Sequence, residues 1–188
     1  MTTEPRTNRR TAVAALAAGA ASMALLAPRP ALAAMSSAAG IVAGGSVAGS
    51  GGAFQFSAFG SKLTLDDSAE PILFCALSWL DPAGAEGAPL EIEFASVASY
   101  GPTEVEGERL MTGTVTVNGE VTAPFALWLF DGGGLDDKDA APDRIRLAVG
   151  GAAAVDGTPV ALGEKTDFSY DVEATLDTGN IQIIALEP

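Results

Sequence analysis

MTGTVTVNGEVTAPFALWLFDGGGLDDKDAAPDRIRLAVG, residues Met111–Gly150, is the stretch that decides the fold class. Apolar and polar residues alternate on both sides of Asn118-Gly119, a dipeptide that favours a hairpin because both central residues of a type I′ turn need positive φ. The second run continues to Phe130 and enters an acidic, glycine-rich loop, and a third alternating run begins at Arg144. The stretch therefore predicts a meander of three antiparallel strands.

The segments around this meander extend the same pattern. Further strands are predicted at Ala53–Phe59, Lys62–Leu65, Pro71–Leu80, Leu90–Phe94, Thr158–Leu162, Phe168–Ala174 and Asn180–Leu186. No segment beyond the amino-terminal region repeats apolar residues at helical spacing over three turns. We therefore predict a single all-β domain, an antiparallel β-sandwich or β-barrel of about nine or ten strands.

Residues 1–33 have the order of an export signal. Arg9-Arg10 precede an Ala/Leu-rich segment, and Ala31-Leu32-Ala33 is a small-residue cleavage site. The twin arginines predict export by the Tat route to the periplasm, the cell surface or the medium. The alternative is an uncleaved membrane anchor, although the apolar run of about 17 residues, mostly alanine, is short for a span.

The signal is followed by two further regions. Residues 34–52 are Ala, Gly and Ser with few larger apolar groups, which is typical of a leader that adds at most one short edge strand near Gly40–Ala43. Residues 53–188 form the predicted all-β domain. No segment of either region is apolar over the length that a membrane-spanning helix needs, so we expect no integral membrane span after signal removal.

Charge limits the classes of partner. The full chain has a formal net charge of −14, and without residues 1–33 it keeps 6 Lys/Arg against 23 Asp/Glu, a formal net charge of −17. Nucleic acids and anionic membranes both bind proteins through clustered Lys and Arg. We therefore expect no nucleic-acid partner, and the sequence leaves open whether a partner protein or a small ligand is bound.

The residue types limit the chemistry. The chain has no histidine and one cysteine, Cys75, which removes Ser-His and Cys-His nucleophile pairs and imidazole or multi-thiolate metal sites. Cys75 is interpreted as a small core residue, with an intermolecular disulfide as the alternative. We therefore expect a protein that is not an enzyme and holds no cofactor other than, at most, calcium.

The acidic loop is the candidate metal site. Its carboxylates are Asp131, Asp136, Asp137, Asp139 and Asp143. Calcium takes about six to eight oxygen ligands, including carbonyl oxygens that glycine presents readily. The spacing differs from that of an EF-hand, and Lys138 lies among the acids. The two interpretations are a solvated connection between strands and a weak calcium site.

Two further sets of residues suggest alternatives. Trp128 and Phe130 share one face of a strand whose other face is also apolar, which predicts a central core strand or, alternatively, the wall of a barrel that carries a small apolar ligand. Glu91 and Glu93 lie on one strand face about 7 Å apart. A carboxylate-dependent hydrolase needs two acids that face each other across a cleft. Any alternating strand that exposes two acids has this spacing, so a solvated strand face is the simpler explanation of these two.

A resemblance adds to this interpretation. The segments that carry it are Gly52–Phe56, Gly113–Gly119, Phe125–Asp131, Asp143–Leu147 and Gly179–Ile183. In them the chain resembles the post-COAP-1 type of domain, a small secreted bacterial module, although the acidic loop is longer and alanine more abundant here. The resemblance implies an exported β module that often lies beside other secreted domains, and it carries over no catalytic residue. The sequence thus favours an exported, non-enzymatic module with a structural or binding role.

Overall fold

The computed structural model describes residues 35–49, 52–65, 70–84, 88–133, 140–160 and 167–186. These ranges contain eleven β-strands and no helix. The strands are β1 Met35–Gly49, β2 Gly52–Leu65, β3 Ile72–Asp81, β4 Leu90–Pro102, β5 Glu108–Val117, β6 Val121–Phe130, β7 Arg144–Gly150, β8 Ala154–Val155, β9 Thr158–Pro159, β10 Ser169–Thr175 and β11 Thr178–Leu186. Within these residues, accordingly, no helix is long and apolar enough to cross a membrane.

Nine of the strands form one antiparallel sheet in the order β10-β7-β6-β5-β4-β3-β2-β1-β11, and β8 pairs with β9 as a small separate hairpin. β10 and β11 lie at opposite edges of the large sheet although only Leu176 and Asp177 separate them in the chain. Two residues cannot span nine flat strands, because neighbouring strands are about 4.8 Å apart. The sheet therefore curls into a half-barrel. The all-β, antiparallel prediction is confirmed.

β1 falls within the predicted leader. It lies between β2 and β11, with a register that runs from Ala38 opposite Leu186 to Ser46 opposite Thr178. Its inward positions include Ile41, Ala43 and Val47, all buried. Within the predicted leader, residues 35–49 are therefore an inner strand and not an edge strand or a linker. The sequence predicted at most a short edge strand near Gly40–Ala43, because the outward residues other than Val42 are glycine, alanine and serine and the alternation has little contrast.

The inner face of the curled sheet holds the hydrophobic core. Trp79 of β3 is 1% exposed and stacks on Phe54 of β2 with ring centroids 4.4 Å apart. The Trp79 indole N–H donates to the Tyr170 hydroxyl (3.2 Å), which donates to Asp81 Oδ2 (2.9 Å). Because Tyr170 lies on β10, this chain of bonds ties the sheet's edge to its middle across the interior.

The hairpin between β5 and β6 follows the prediction with one addition. Asn118 and Gly119 both have positive φ, 50° and 71°. Pairing resumes between Val117 and Val121, so Glu120 is an extra loop residue. The Asn118 side-chain oxygen accepts the Glu91 N–H at 2.8 Å, which anchors the turn to β4.

The free edge of β11 is covered by side chains where a further strand would otherwise pair. The Ile181 N–H donates to Asp143 Oδ2 (2.7 Å), and the Ile183 N–H donates to Asp131 Oδ2 (2.9 Å). Asp131 follows β6 and Asp143 precedes β7, so both belong to the start and end of the acidic loop. We call this pair the carboxylate cap. It satisfies two edge donors that a curled but unclosed sheet would leave unpaired.

Tyr100 fills the interior beside β2. β4 has irregular pairing between Phe94 and Ser96 and again between Val97 and Ser99, and beyond these points the Tyr100 ring lies over Gly60. A Cβ atom on Gly60 would be only 2.7 Å from Tyr100 Cε2. Tyr100 is 6% exposed, and its hydroxyl is buried without a hydrogen-bond partner among the described residues.

Candidate functional site

Trp128 and Phe130 lie on the outer face of β6. Their strand neighbours Phe125, Leu127 and Leu129 point inward and are 0–1% exposed, whereas both aromatic side chains are half-buried. They therefore face away from the core and do not line the interior of the half-barrel. An apolar ligand carried inside the sheet would meet the opposite face of this strand.

Each outer aromatic side chain has an arginine beside it. Trp128 is opposite Arg146 and Phe130 is opposite Arg144 in the β6–β7 register. The Arg144 Cζ lies 4.3 Å from the centre of the Phe130 ring, and the Arg146 Cζ lies 4.8 Å from that of Trp128. Such cation–π contacts stabilise by about 0.5–1 kcal/mol when exposed. The two cross-strand pairs form parallel rows on the surface.

The two arginines differ in their acidic partners. Arg146 forms a two-pronged pair with Asp171 of β10, with Nε 3.2 Å from Oδ1 and Nη2 3.0 Å from Oδ2. The hydrogen bonds to Asp171 raise the pKa of Arg146 above its ordinary value. Arg144 has no ion pair with any described residue. No described acidic side chain therefore pairs with its guanidinium N–H groups.

A surface groove of about 230 Å³ runs beside these rows. It is lined by Glu108, Trp128, Phe130, Arg144, Ile145, Arg146 and Glu173. Glu108 belongs to β5 and Glu173 to β10, so the acids come from strands on either side of β6 and β7. The groove places guanidinium donors, carboxylate acceptors and aromatic rings together. We call it the Arg–aromatic groove.

Only part of this groove could be predicted from the sequence. Arg144 and Arg146 alternate with Ile145 and Leu147, so their outward position follows from period-2 spacing. Their pairing with the outer face of β6 does not follow, because the long loop between the strands leaves the register open.

The acidic loop is described only at its ends. Asp131 and Asp143 form the carboxylate cap, and their other oxygens accept the N–H groups of Gly133 (3.1 Å) and Gly132 (3.0 Å). All four carboxylate oxygens of the pair thus hold backbone N–H groups. Asp136, Asp137 and Asp139 lie outside the described residues. Within the described part of the chain, no group of three acids or thiols could hold a metal ion.

Glu91 and Glu93 are exposed on the outer face of β4. Glu93 is opposite Ser78 on one side and Thr116 on the other, so its strand neighbours are hydroxyl side chains. Neither glutamate lines the Arg–aromatic groove. Their placement is that of a solvated strand face.

Cys75 lies on the inner face of β3, opposite Gly60. It is half-buried, and burial raises the pKa of its thiol to about 11. At neutral pH the group is therefore a thiol and not the reactive thiolate. This placement matches the interpretation of Cys75 as a core residue.

A second groove of about 460 Å³ lies at the other end of the sheet. Its lining residues are Ala88, Pro89, Leu90, Asn118, Asp167, Phe168 and Ser169. Asn118 already bonds to β4, and Asp167 is the one ionisable side chain of this lining. The second groove offers fewer groups for recognition than the Arg–aromatic groove.

Comparisons of the chain with protein-family models, with curated proteins and with solved structures found no match.

Proposed function

We propose that the chain is an exported, non-enzymatic binding module and that the Arg–aromatic groove is its ligand site. The observation that carries the proposal is Arg144, an arginine that stacks on Phe130 at 4.3 Å and has no described acidic partner. A buried or stacked arginine normally uses its fixed fork of N–H donors. Here that fork is available in a groove.

The chemistry of the groove favours a neutral ligand rich in hydroxyl groups, such as a short oligosaccharide. A hydroxyl group both donates and accepts hydrogen bonds, so one sugar unit can accept from Arg144 and donate to Glu173. Trp128 and Phe130 add apolar contact for the ring carbons. The groove presents both positively and negatively charged side chains. A neutral ligand can bind to both, whereas an anion or a cation would be repelled by one of the two sets.

The charge of the molecule points the same way. A formal net charge of −14 on the full chain repels anions over distances of about a Debye length, ~10 Å at 0.1 M salt. A cation would be attracted to acidic side chains all over the surface, and the two arginines would oppose it at this site. A neutral ligand meets neither obstacle.

The experiment is a calorimetric titration of the chain with neutral oligosaccharides of different linkage, with Trp128 fluorescence as a second signal. We expect Arg144→Met to weaken binding about 10- to 100-fold, since a hydrogen bond to a charged group contributes about 1.5–3 kcal/mol. Lys62→Met removes an exposed positive charge elsewhere and should leave affinity unchanged. Failure of every oligosaccharide to bind, or equal affinity of the Arg144 variant, would reject the proposal.

A second candidate is hydrolysis of the same ligand, favoured by the two carboxylates that line the groove from different strands. Glycosidases use two carboxylates about 5–9.5 Å apart, whereas β5 and β10 are three strand spacings apart, about 14 Å, so both long side chains would have to reach toward the middle of the groove. Release of new reducing ends during the titration distinguishes the two functions. If turnover occurs, Glu173→Gln should abolish it while binding remains, whereas a binding module gives no product with any variant.

A further inference from the structure

One half of the outer surface of the sheet carries no charge. The outward positions of four adjacent strands, β11, β1, β2 and β3, are all uncharged: Thr178, Asn180, Gln182 and Ile184; Ala38, Gly40, Val42, Gly44 and Ser46; Gln55, Ser57, Phe59, Ser61 and Leu63; Ile72, Phe74, Ala76, Ser78 and Leu80. We call this surface the neutral face. In a chain with 24 Asp/Glu, the lack of acids here is a feature that needs an explanation.

The charged outward side chains lie on the other strands. Glu91 and Glu93 project from β4, Glu108 from β5, and Asp171 and Glu173 from β10. The boundary falls between β3 and β4, where Ser78 is opposite Glu93. The outer surface is thus divided between an uncharged half and a charged half that contains the Arg–aromatic groove.

The neutral face also exposes large apolar side chains. Ile72, Phe74 and Leu80 of β3 are 41%, 43% and 40% exposed. Beside them, Phe59 and Leu63 of β2 are half-buried. The apolar run of β3 is typical of a strand buried on both faces or of a barrel wall, and among the described residues only its inner face is covered. Ile72 and Phe74 lie beside Leu63 and Phe59 and form one contiguous apolar patch with them, whereas Leu80 lies apart at the other end of β3. Contiguous apolar surface of this kind marks an interaction site.

The centre of the neutral face has low relief. Gly40 and Gly44 of β1 lie beside Ser61 and Ser57 of β2. Small outward residues allow a second sheet to approach closely, as in sheets that pack face to face about 10 Å apart. Phe59, opposite Val42, stands between these small residues as a projecting side chain.

We propose that the neutral face is the interface of a two-fold dimer, with the same face of a second copy of this chain as its occupant. A two-fold contact brings each patch against its own copy, with residue i against j and j against i, so a patch that carried only acids would bring acids against acids. Two acidic molecules repel one another unless the contact itself is uncharged and the acids stay outside it. The neutral face meets that condition, and the charged half of the sheet does not.

The size of the face agrees with a reversible dimer. Four strands spaced about 4.8 Å apart and nine residues long at ~3.3 Å each would cover roughly 570 Å² if they were flat, and because the sheet is curled two such faces are in contact over less than this area. A standard interface buries about 800 Å² on each partner, and weaker ones bury less. We therefore expect association in the micromolar range.

Other occupants fit the surface less well. A basic partner protein would gain most from the acidic half of the sheet, because complementary charge guides association. An anionic membrane would be repelled by the net charge of the whole chain. A second copy of the chain presents the same uncharged and partly apolar face, so this contact needs no complementary charge.

The test is the mass of the full chain in solution, or of the form that its host exports, by sedimentation velocity over a range of concentrations. We expect a species of twice the chain mass of 18.9 kDa. Phe74→Glu should return it to monomer, because each copy would then bury an unpaired carboxylate in an uncharged contact. Val105→Glu, at a loop position with 47% exposure outside the neutral face, is the matched control and should remain dimeric.

Salt gives an independent measurement that does not depend on a variant. Screening weakens the repulsion between two acidic copies, so raising the salt concentration should tighten the dimer, whereas an interface built on opposite charges would weaken. A chain that stays monomeric up to about 1 mM, or a dimer that Phe74→Glu leaves intact with native circular dichroism, overturns the proposal. Phe74 is not part of the Arg–aromatic groove, so ligand binding and dimerisation fail or succeed separately.

Discussion

Asp143 holds two different backbone segments with one side chain. Its Oδ1 accepts the Gly132 N–H within the loop, and its Oδ2 accepts the Ile181 N–H of β11. We expect Asp143→Asn to lower the free energy of unfolding by about 2–3 kcal/mol, because an amide keeps only one acceptor oxygen and turns N–H groups toward a backbone donor. Urea unfolding provides the measurement.

Asp156→Asn is the control for that variant. Asp156 is exposed in the turn between β8 and β9 with φ 51°, a conformation that asparagine tolerates well. It loses the same charge, and we expect a change within about 0.5 kcal/mol. Equal destabilisation by the two substitutions would mean that the lost charge, and not the carboxylate cap, accounts for the effect.

The two tyrosines provide a second matched comparison of single side chains. The Tyr170 hydroxyl accepts from Trp79 and donates to Asp81, whereas the Tyr100 hydroxyl is buried with no described partner. We therefore expect Tyr170→Phe to lower the free energy of unfolding by about 1–3 kcal/mol and Tyr100→Phe to leave it unchanged or raise it. The reverse order in thermal or urea unfolding would contradict this assignment of partners.

Among the elements, the acidic loop has a structural role at its two ends, and calcium binding is predicted for its middle. Asp131 and Asp143 already hold backbone N–H groups, so a calcium site would depend on Asp136, Asp137 and Asp139. A cation present at 100 times its dissociation constant adds about 2.7 kcal/mol to the free energy of unfolding. Thermal unfolding with calcium and with chelator, in the wild type and in Asp136→Asn/Asp139→Asn, measures this.

The two outcomes of that measurement have different meanings. Stabilisation by calcium in the wild type alone supports the site. If the unfolding midpoint is the same with calcium as with chelator, in the wild type and in the variant, the site is rejected. The loop is then a connection whose ends cap β11.

Elements differ in how far the sequence predicts them. The β5–β6 hairpin was predictable because Asn118-Gly119 encodes its own turn geometry. β4 was predictable over Leu90–Phe94 because glutamates alternate with large apolar residues there. β1 was predicted only as a short edge strand near Gly40–Ala43, because glycine and serine on its outer side weaken the alternation. The Arg–aromatic groove was missed because its pairs depend on the register across a long loop. The sequence therefore predicted turns and alternating strands, but not which strands pair across long loops.

The pH dependence of stability belongs to the whole molecule, since it sums over every titrating group. Burial raises the pKa of Tyr100 to about 12 and that of Cys75 to about 11, and burial with the bond to Asp81 raises the pKa of Tyr170. In the unfolded chain these groups titrate near their ordinary values, about 10 for tyrosine and 8.5 for cysteine. The unfolded state thus loses their protons first as pH rises.

The sign of the effect follows from that order. The stabilisation is fully present below about pH 8 and declines as pH rises through the range from about 9 to 12. Between about pH 6 and 8 the curve should be nearly flat, because the chain has no histidine. Urea unfolding across this range checks both parts, and a free energy that increases above pH 10 would be the opposite of the expected result.

The pairing of β11 with β1 has a consequence for the order in which the protein is made. Ala38 and Leu186 are partners in the sheet although they lie far apart in the sequence. β1 therefore leaves the ribosome with one edge open, and that edge stays open until Thr178–Leu186 has been synthesised. Any early stop before Thr178 leaves β1 unpaired on that side, free to join another chain. We expect such truncated products to aggregate. In a circular permutant that joins Leu186 to Met35 and opens the Asn118-Gly119 turn, the β1–β11 contact becomes local and the β5–β6 pair becomes the contact between the two ends, so β5 and not β1 should be the strand that waits longest for its partner.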